Sequence, residues 1–134
     1  MVKQISIFAE NTKGALLKIT EVISGSGVNI YSCVTNDSGE YGVVRMIVDN
    51  PDKAVETLTA GGYQCRESGV IGIRLSDEAG KLKELFDDIL YSNININYIY
   101  TSFDRGSGQP VIIVSSEDGL MTEQCLMSKG YETI

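Results

Sequence analysis

Apolar and polar residues alternate from Val2 to Ala9, with Ile5 and Ile7 on one side and Gln4 and Ser6 on the other. This period of two predicts a half-buried strand. The spacing then becomes helical. Leu16, Ile19, Val22 and Ile23 form one stripe, which Ser24-Gly25-Ser26-Gly27 ends. Val28 to Val34 predicts a second strand, with Val28, Ile30 and Val34 on one face and Asn29, Tyr31 and Cys33 on the other. Asn36-Asp37-Ser38-Gly39 reads as a hairpin connection to a third strand, Val43 to Val48. Asn50-Pro51 marks a helix start, since Pro suits the first helical position. Ala54, Val55 and Leu58 give that helix its core face. Gly61-Gly62 stops it, and Tyr63 to Arg66 returns as a short strand. The order is β-α-β-β-α-β.

The same pattern then begins again. Ile71 to Leu75 is strand-like, and Leu82, Leu85, Phe86, Ile89 and Leu90 form a full helical stripe. Asn93 to Tyr98 alternates without a break, and Ile94-Asn95-Ile96 matches Val28-Asn29-Ile30 at an offset of 66 residues. The second hairpin, Thr101 to Pro110, is two residues longer than Thr35 to Gly42, and beyond it the offset is 68. Val43 then aligns with Val111, and Gly62-Tyr63 with Gly130-Tyr131. One insertion in one loop accounts for the whole shift. The chain is therefore read as two domains, 1–68 and 69–134. The expected fold is α+β: two ferredoxin-like βαββαβ units side by side, each an antiparallel sheet with helices on one face. The last strand is nearly absent, because the chain stops at Ile134.

The repeat points to two turns. Asn11-Thr12-Lys13-Gly14-Ala15-Leu16 joins the first strand to the first helix, and Asp77-Glu78-Ala79-Gly80-Lys81-Leu82 does the same in the second unit. Asn11 or Thr12 can cap the first of these helices. Such a turn aims backbone N–H groups and the positive end of a helix dipole outward, and Gly leaves close approach open. Both turns are candidate sites for a small anionic or zwitterionic ligand. A Gly here also serves a plain strand-to-helix connection.

Composition narrows the chemistry. The net charge is −7, divided as −1 over residues 1–66 and −6 over residues 67–134. Nucleic acid and anionic membrane surfaces are poor partners for such a chain. Two middle-strand aromatics, Tyr31 and Tyr41, are too few for an RNA-binding sheet. There is no His, and Cys33, Cys65 and Cys125 make no metal-ligand spacing. No metal, cofactor or catalytic residue is expected. Asp87-Asp88 is not a working carboxylate pair, because adjacent helix residues point to different faces. The thiols read as small buried hydrophobes in a reducing, cytoplasmic setting, and the Met-Val-Lys-Gln start lacks an apolar signal region.

The βαββαβ order, the Asn11-x-x-Gly14-x-Leu16 turn and the Gly27-Val28-Asn29-Ile30 strand start resemble an ACT domain. The second half repeats them as Asp77-x-x-Gly80-x-Leu82 and Asn93-Ile94-Asn95-Ile96. The whole chain resembles a stand-alone tandem ACT protein. That resemblance implies a regulatory protein, not an enzyme, which binds a free amino acid at an interface between units and acts on a partner enzyme. Carried over, the ligand neighbours are Asn11, Thr12, Lys13, Gly14, Ala15 and Leu16 with Asn29 and Ile30. In the second unit they are Asp77, Glu78, Ala79, Gly80, Lys81 and Leu82 with Asn95 and Ile96. The family commonly has Pro just before the turn Gly, where this chain has Lys13 and Ala79.

The charges of an amino acid fit this reading. Helix N–H groups suit its carboxylate. Side-chain oxygens of Asn29, Asn95 or Asp77 suit its ammonium. Asn93 and Asn97 read as a helix end and a solvent face. The first turn is favoured, since Asp77 and Glu78 place negative charge where a carboxylate would sit. Open strand edges predict a homodimer. The alternatives are an assembly module without ligand and a small enzyme of ferredoxin-like fold. No motif here resembles the phosphate-binding loop of acylphosphatase, which shares that topology.

Overall fold

The computed structural model describes residues 1–37 and 41–134. The expected turn at Ser38-Gly39 lies outside the described residues. The elements follow in the order β1 (Val2–Glu10), α1 (Ala15–Gly25), β2 (Ile30–Asp37), β3 (Tyr41–Val48), α2 (Pro51–Ala60), β4 (Gln64–Arg74), α3 (Lys81–Tyr91), β5 (Ile96–Phe103), β6 (Pro110–Ser116), α4 (Gly119–Ser128) and β7 (Glu132–Thr133). The class is α+β. The chain forms two compact units, Lys3–Ser68 and Gly69–Ile134, the latter taking in Met1–Val2.

In the first unit the strands lie in the order β2-β3-β1-β4, the first part of β4 belonging here. β1 and β3 are antiparallel, with Ile5 opposite Met46 and Ile7 opposite Val44. These side chains join Val48, Ile19 and Ile23 of α1, and Ala54 and Leu58 of α2 in one buried cluster. Both helices therefore cover one face of the sheet. In the second unit the order is β5-β6-β4-β7. Ile71, Ile73, Ile112 and Val114 meet Leu85 and Ile89 of α3 and Leu126 of α4. Full burial of each such aliphatic side chain is worth roughly 1.5–3 kcal/mol.

The repeat extends to single hydrogen bonds. The Lys53 amide donates to Asn50 Oδ1 at 3.2 Å, and the Met121 amide to Asp118 Oδ1 at 3.0 Å, so α2 and α4 start on equivalent side-chain caps. Both end alike, with the Tyr63 amide on the Leu58 carbonyl and the Tyr131 amide on the Leu126 carbonyl.

Several expectations are corrected. Tyr63–Arg66 and Ile71–Leu75 are not separate strands: β4 runs continuously from Gln64 to Arg74, as nothing in Glu67-Ser68-Gly69 turns the chain. The helical stripes are narrower than their periodicity implies. Ile19 and Ile23, and Leu85 and Ile89, are buried, whereas Leu16, Leu82, Phe86 and Leu90 are exposed. A short helix on a sheet buries the residues directly beneath its axis, and flanking positions turn outward. Gln4, expected on a polar face, is fully buried. The cysteines are not core residues either: Cys33 is exposed, and Cys65 and Cys125 are half-buried.

The alternation in β2 also breaks. A register shift between Ile30 and Ser32 places Cys33 opposite Met46 and Thr35 opposite Val44. Directly opposed residues share a face, so Cys33 and Thr35 come to the helix side and Val34 leaves it. The same shift recurs between Ile96 and Tyr98. There it brings Ile99, the counterpart of Cys33, against the core. The shortened last strand is real: Thr133 and Glu132 pair with Ile73 and Arg74.

Candidate functional site

β1 delivers the chain to Glu10, and the next residues turn it into α1. The Thr12 amide donates to the Glu10 carbonyl at 2.9 Å, and the Ala15 amide to the Thr12 carbonyl at 3.2 Å. Gly14 then takes φ +82°, ψ 0°, a left-handed conformation that costs residues with a Cβ about 1–2 kcal/mol. Gly14 is itself the N-cap and has no side chain with which to cap α1. The expectation that Asn11 or Thr12 caps the helix is thus corrected: the tight turn commits the Thr12 carbonyl to Ala15 and places the left-handed Gly at the cap. Past Ala15, the leading N–H groups of α1 lie at this turn, where the Gly14 cap has no side chain.

These N–H groups open onto a cleft of about 300 Å³. This is near the lower end of small-molecule sites, which run from about 300 to 1,000 Å³. Ala9, Glu10, Asn11, Thr12, Gly14, Ala15 and Leu16 line it, and Lys13 does not. The remaining walls are Leu17 and Ile19 of α1, Thr35 and Asn36 of β2, and Gly42, Val43 and Val44 of β3. Its lining combines aliphatic side chains with the polar Glu10, Asn11, Thr12, Thr35 and Asn36. Among the described residues neither Glu10 nor Lys13 has a partner side chain.

The second turn repeats the first bond for bond. The Glu78 amide donates to the Ser76 carbonyl, the Lys81 amide to the Glu78 carbonyl, and Gly80 caps α3 at φ +90°. Asp77, Glu78, Ala79, Gly80 and Leu82 are exposed, and Lys81 is half-buried. The Ser76 hydroxyl donates to Glu78 Oε2 at 3.2 Å, and Lys81 pairs with Glu84 at 3.4 Å. The acidic residues of this turn therefore surround its helix start.

The strand residues lie elsewhere in their units. Asn29 and Ile30 border a shallow depression with Leu17, Thr20, Glu21, Ser24 and Val28, at the opposite end of α1 from Gly14. The Asn29 amide and carbonyl are bound to Asp49, through its side chain at 3.0 Å and its amide at 3.0 Å. Asn95 lines a separate depression with Asn93, Ile94, Asp118 and Met121, and Ile96 is half-buried at the start of β5. Within one unit the turn and strand candidates do not meet. Asn93, at φ +56°, forms the end of α3, and Asn97 is exposed.

A model of the ACT domain pair matches residues 1–131. The chain belongs to the ACT domain pair family. Its fold is similar to protein BT0572 from Bacteroides thetaiotaomicron, with 25% identity and TM-score 0.90 over 99% of this chain and 91% of that one. It is also similar to the regulatory subunit of aspartate kinase from Thermus thermophilus, with 16% identity and TM-score 0.66 over 94% and 91% of the two chains. The corresponding subunit from Thermus flavus gives 15% identity and TM-score 0.62 over 94% and 90%. None of the curated proteins matches the chain.

The two units of this ACT pair differ at the floor of the cleft. Ala9 and Gly42 face each other across β1 and β3, with Val44 beside them. Their repeat counterparts are Leu75, Pro110 and Ile112, and Leu75 packs against the second core. Every one of the three is larger in the second unit. Pattern reading gave Ala9, Thr35, Gly42 and Val44 no role. Ala9 and Gly42 were legible as small residues replaced by large ones in the repeat. Thr35 was not, because only the β2 register shift turns it toward the helices. Among the described residues no helix is long and apolar enough to cross a membrane.

Proposed function

We propose that the protein is a non-catalytic regulatory protein which holds a free amino acid at the Gly14 turn and passes the binding event to a partner enzyme. The observation that carries this reading is the cleft at the start of α1, where the N-cap is a glycine. Helix N–H groups meet a carboxylate there, the Glu10 carboxylate meets an ammonium, and the aliphatic walls meet a side chain. The fold shared with aspartate kinase regulatory subunits supports the regulatory role. The family resemblance further implies a homodimer, with a unit of a second copy bringing its Asn29–Ile30 or Asn95–Ile96 edge to the ligand.

The test is calorimetry and thermal shift with each proteinogenic amino acid. At least one should raise the melting temperature and bind with micromolar to millimolar affinity. If none does, the turn is only a connection. A second reading, an assembly module without ligand, draws on one observation: Leu82, Phe86, Leu90 and Tyr91 of α3 are all exposed, Leu90 by 75% and Tyr91 by 83%. Such apolar surface marks contact sites. A dimer mass in light scattering together with no binding of any amino acid in the calorimetry distinguishes it.

A further inference from the structure

We infer that the Gly14 cleft selects an amino acid with a branched aliphatic side chain, and that the chain carries one such site rather than two. This rests on the amino-acid reading above and narrows it to a ligand class and a stoichiometry.

The side chain of a bound amino acid must point away from the helix start, toward the floor. That floor is Ala9, Gly42 and Val44, with Ile19 and Leu16 at the sides. These five carry no charge, and Glu10, the charged residue of the lining, is taken by the ligand ammonium, so an acidic or basic side chain would lose its hydration at the floor without an ionic partner. The floor continues the core face of the sheet: Ile5, Ile7 and Ala9 succeed one another on β1, and Val44 follows Gly42 on β3. A β-carbon at Gly42 would sit 3.3 Å from the Asn36 carbonyl oxygen, a tight contact that would make the neighbouring strand give by a few tenths of an ångström. The space is kept by small residues at the end of a face otherwise filled by large ones.

In the second unit the same face runs Ile71, Ile73, Leu75, with Pro110 and Ile112 on the neighbouring strand. Leu75 and Pro110 hold the places of Ala9 and Gly42, and the Leu75 amide bonds the Pro110 carbonyl at 3.1 Å. The protein's own side chains occupy there the volume that a ligand side chain would take in the first unit. Glu78 and Asp77 at that turn also repel a carboxylate.

Calorimetry on the full chain tests this, with valine, leucine, isoleucine, serine, aspartate and lysine as probes. One aliphatic amino acid should bind at one per chain. Serine and aspartate should bind at least about tenfold more weakly, as a hydrophobic pocket discriminates by about 10–200-fold per methylene. Ala9→Leu, which copies the second unit, should weaken the aliphatic ligand by more than about tenfold. Ala9→Ser, nearly the same size, should keep the fold and narrow the gap between aliphatic ligand and serine. If aspartate, lysine or serine binds best, if two ligands bind per chain, or if both Ala9 variants leave the preference unchanged, the inference is overturned while amino-acid binding stands. If no amino acid binds the parent at all, the functional reading itself fails.

Discussion

At the scale of residues, the way each helix starts decides which substitutions matter. α2 begins on the Asn50 side chain, α1 on the backbone of Gly14 alone. Asn50→Ala should therefore cost about 1 kcal/mol of stability in urea unfolding, whereas Thr12→Ala, which removes no cap, should stay within about 0.5 kcal/mol. Gly14→Ala should cost about 1–2 kcal/mol through its positive φ alone, since a β-carbon there meets nothing within 4 Å. Gly14→Asn should cost less, because Asn tolerates the left-handed region.

Tyr131 gives a pH prediction at the same scale. Its burial and its 2.5 Å hydrogen bond to Asp88 Oδ2 hold the phenol pKa above the usual tyrosine value. The unfolded phenol ionises near about pH 10. Below that pH the contribution of this group to stability is present in full. It is lost as pH rises further, because the unfolded chain then gives up the proton more readily than the folded one. Tyr131→Phe should flatten the alkaline decline in melting temperature between about pH 9 and 11, and an unchanged decline would remove Tyr131 as its source.

At the scale of elements, burial separates residues that share one helical stripe. Leu58 of α2 and Leu126 of α4 are fully buried at equivalent repeat positions. Alanine at either should cost about 2–5 kcal/mol by chemical denaturation. Leu90→Ala, on the exposed flank of α3, should change stability by no more than about 0.5 kcal/mol. Sequence periodicity could not separate Leu90 from Ile89, because both satisfy the helical spacing. Only the line along which the helix meets the sheet divides them.

At the scale of the whole molecule, the exposed flank of α3 bears on assembly. A chain of 14.6 kDa that presents Phe86, Leu90 and Tyr91 to solvent should run as a dimer in light scattering. Phe86→Glu with Leu90→Glu should return it to the monomer mass with its secondary structure by circular dichroism unchanged. A monomeric parent at high concentration would end the homodimer proposal.

The sequence by itself determined the repeated βαββαβ order, the glycine turns from strand to helix in both halves and most of the core, because these follow from local periodicity and from what a glycine permits. The offset between the halves even marked where the second hairpin is longer. Three matters needed the tertiary structure. The register shift in β2 moves Thr35 and Cys33 across the sheet, a change set by pairing with β3 and invisible in the alternation of β2 alone. The continuity of β4 through Ser68-Gly69 was hidden because a Ser-Gly pair between two apolar runs reads as a break, although the backbone there stays extended. The cleft beside Gly14 is volume left where Ala9 and Gly42 face each other, and a volume enclosed by four elements exists only once they pack.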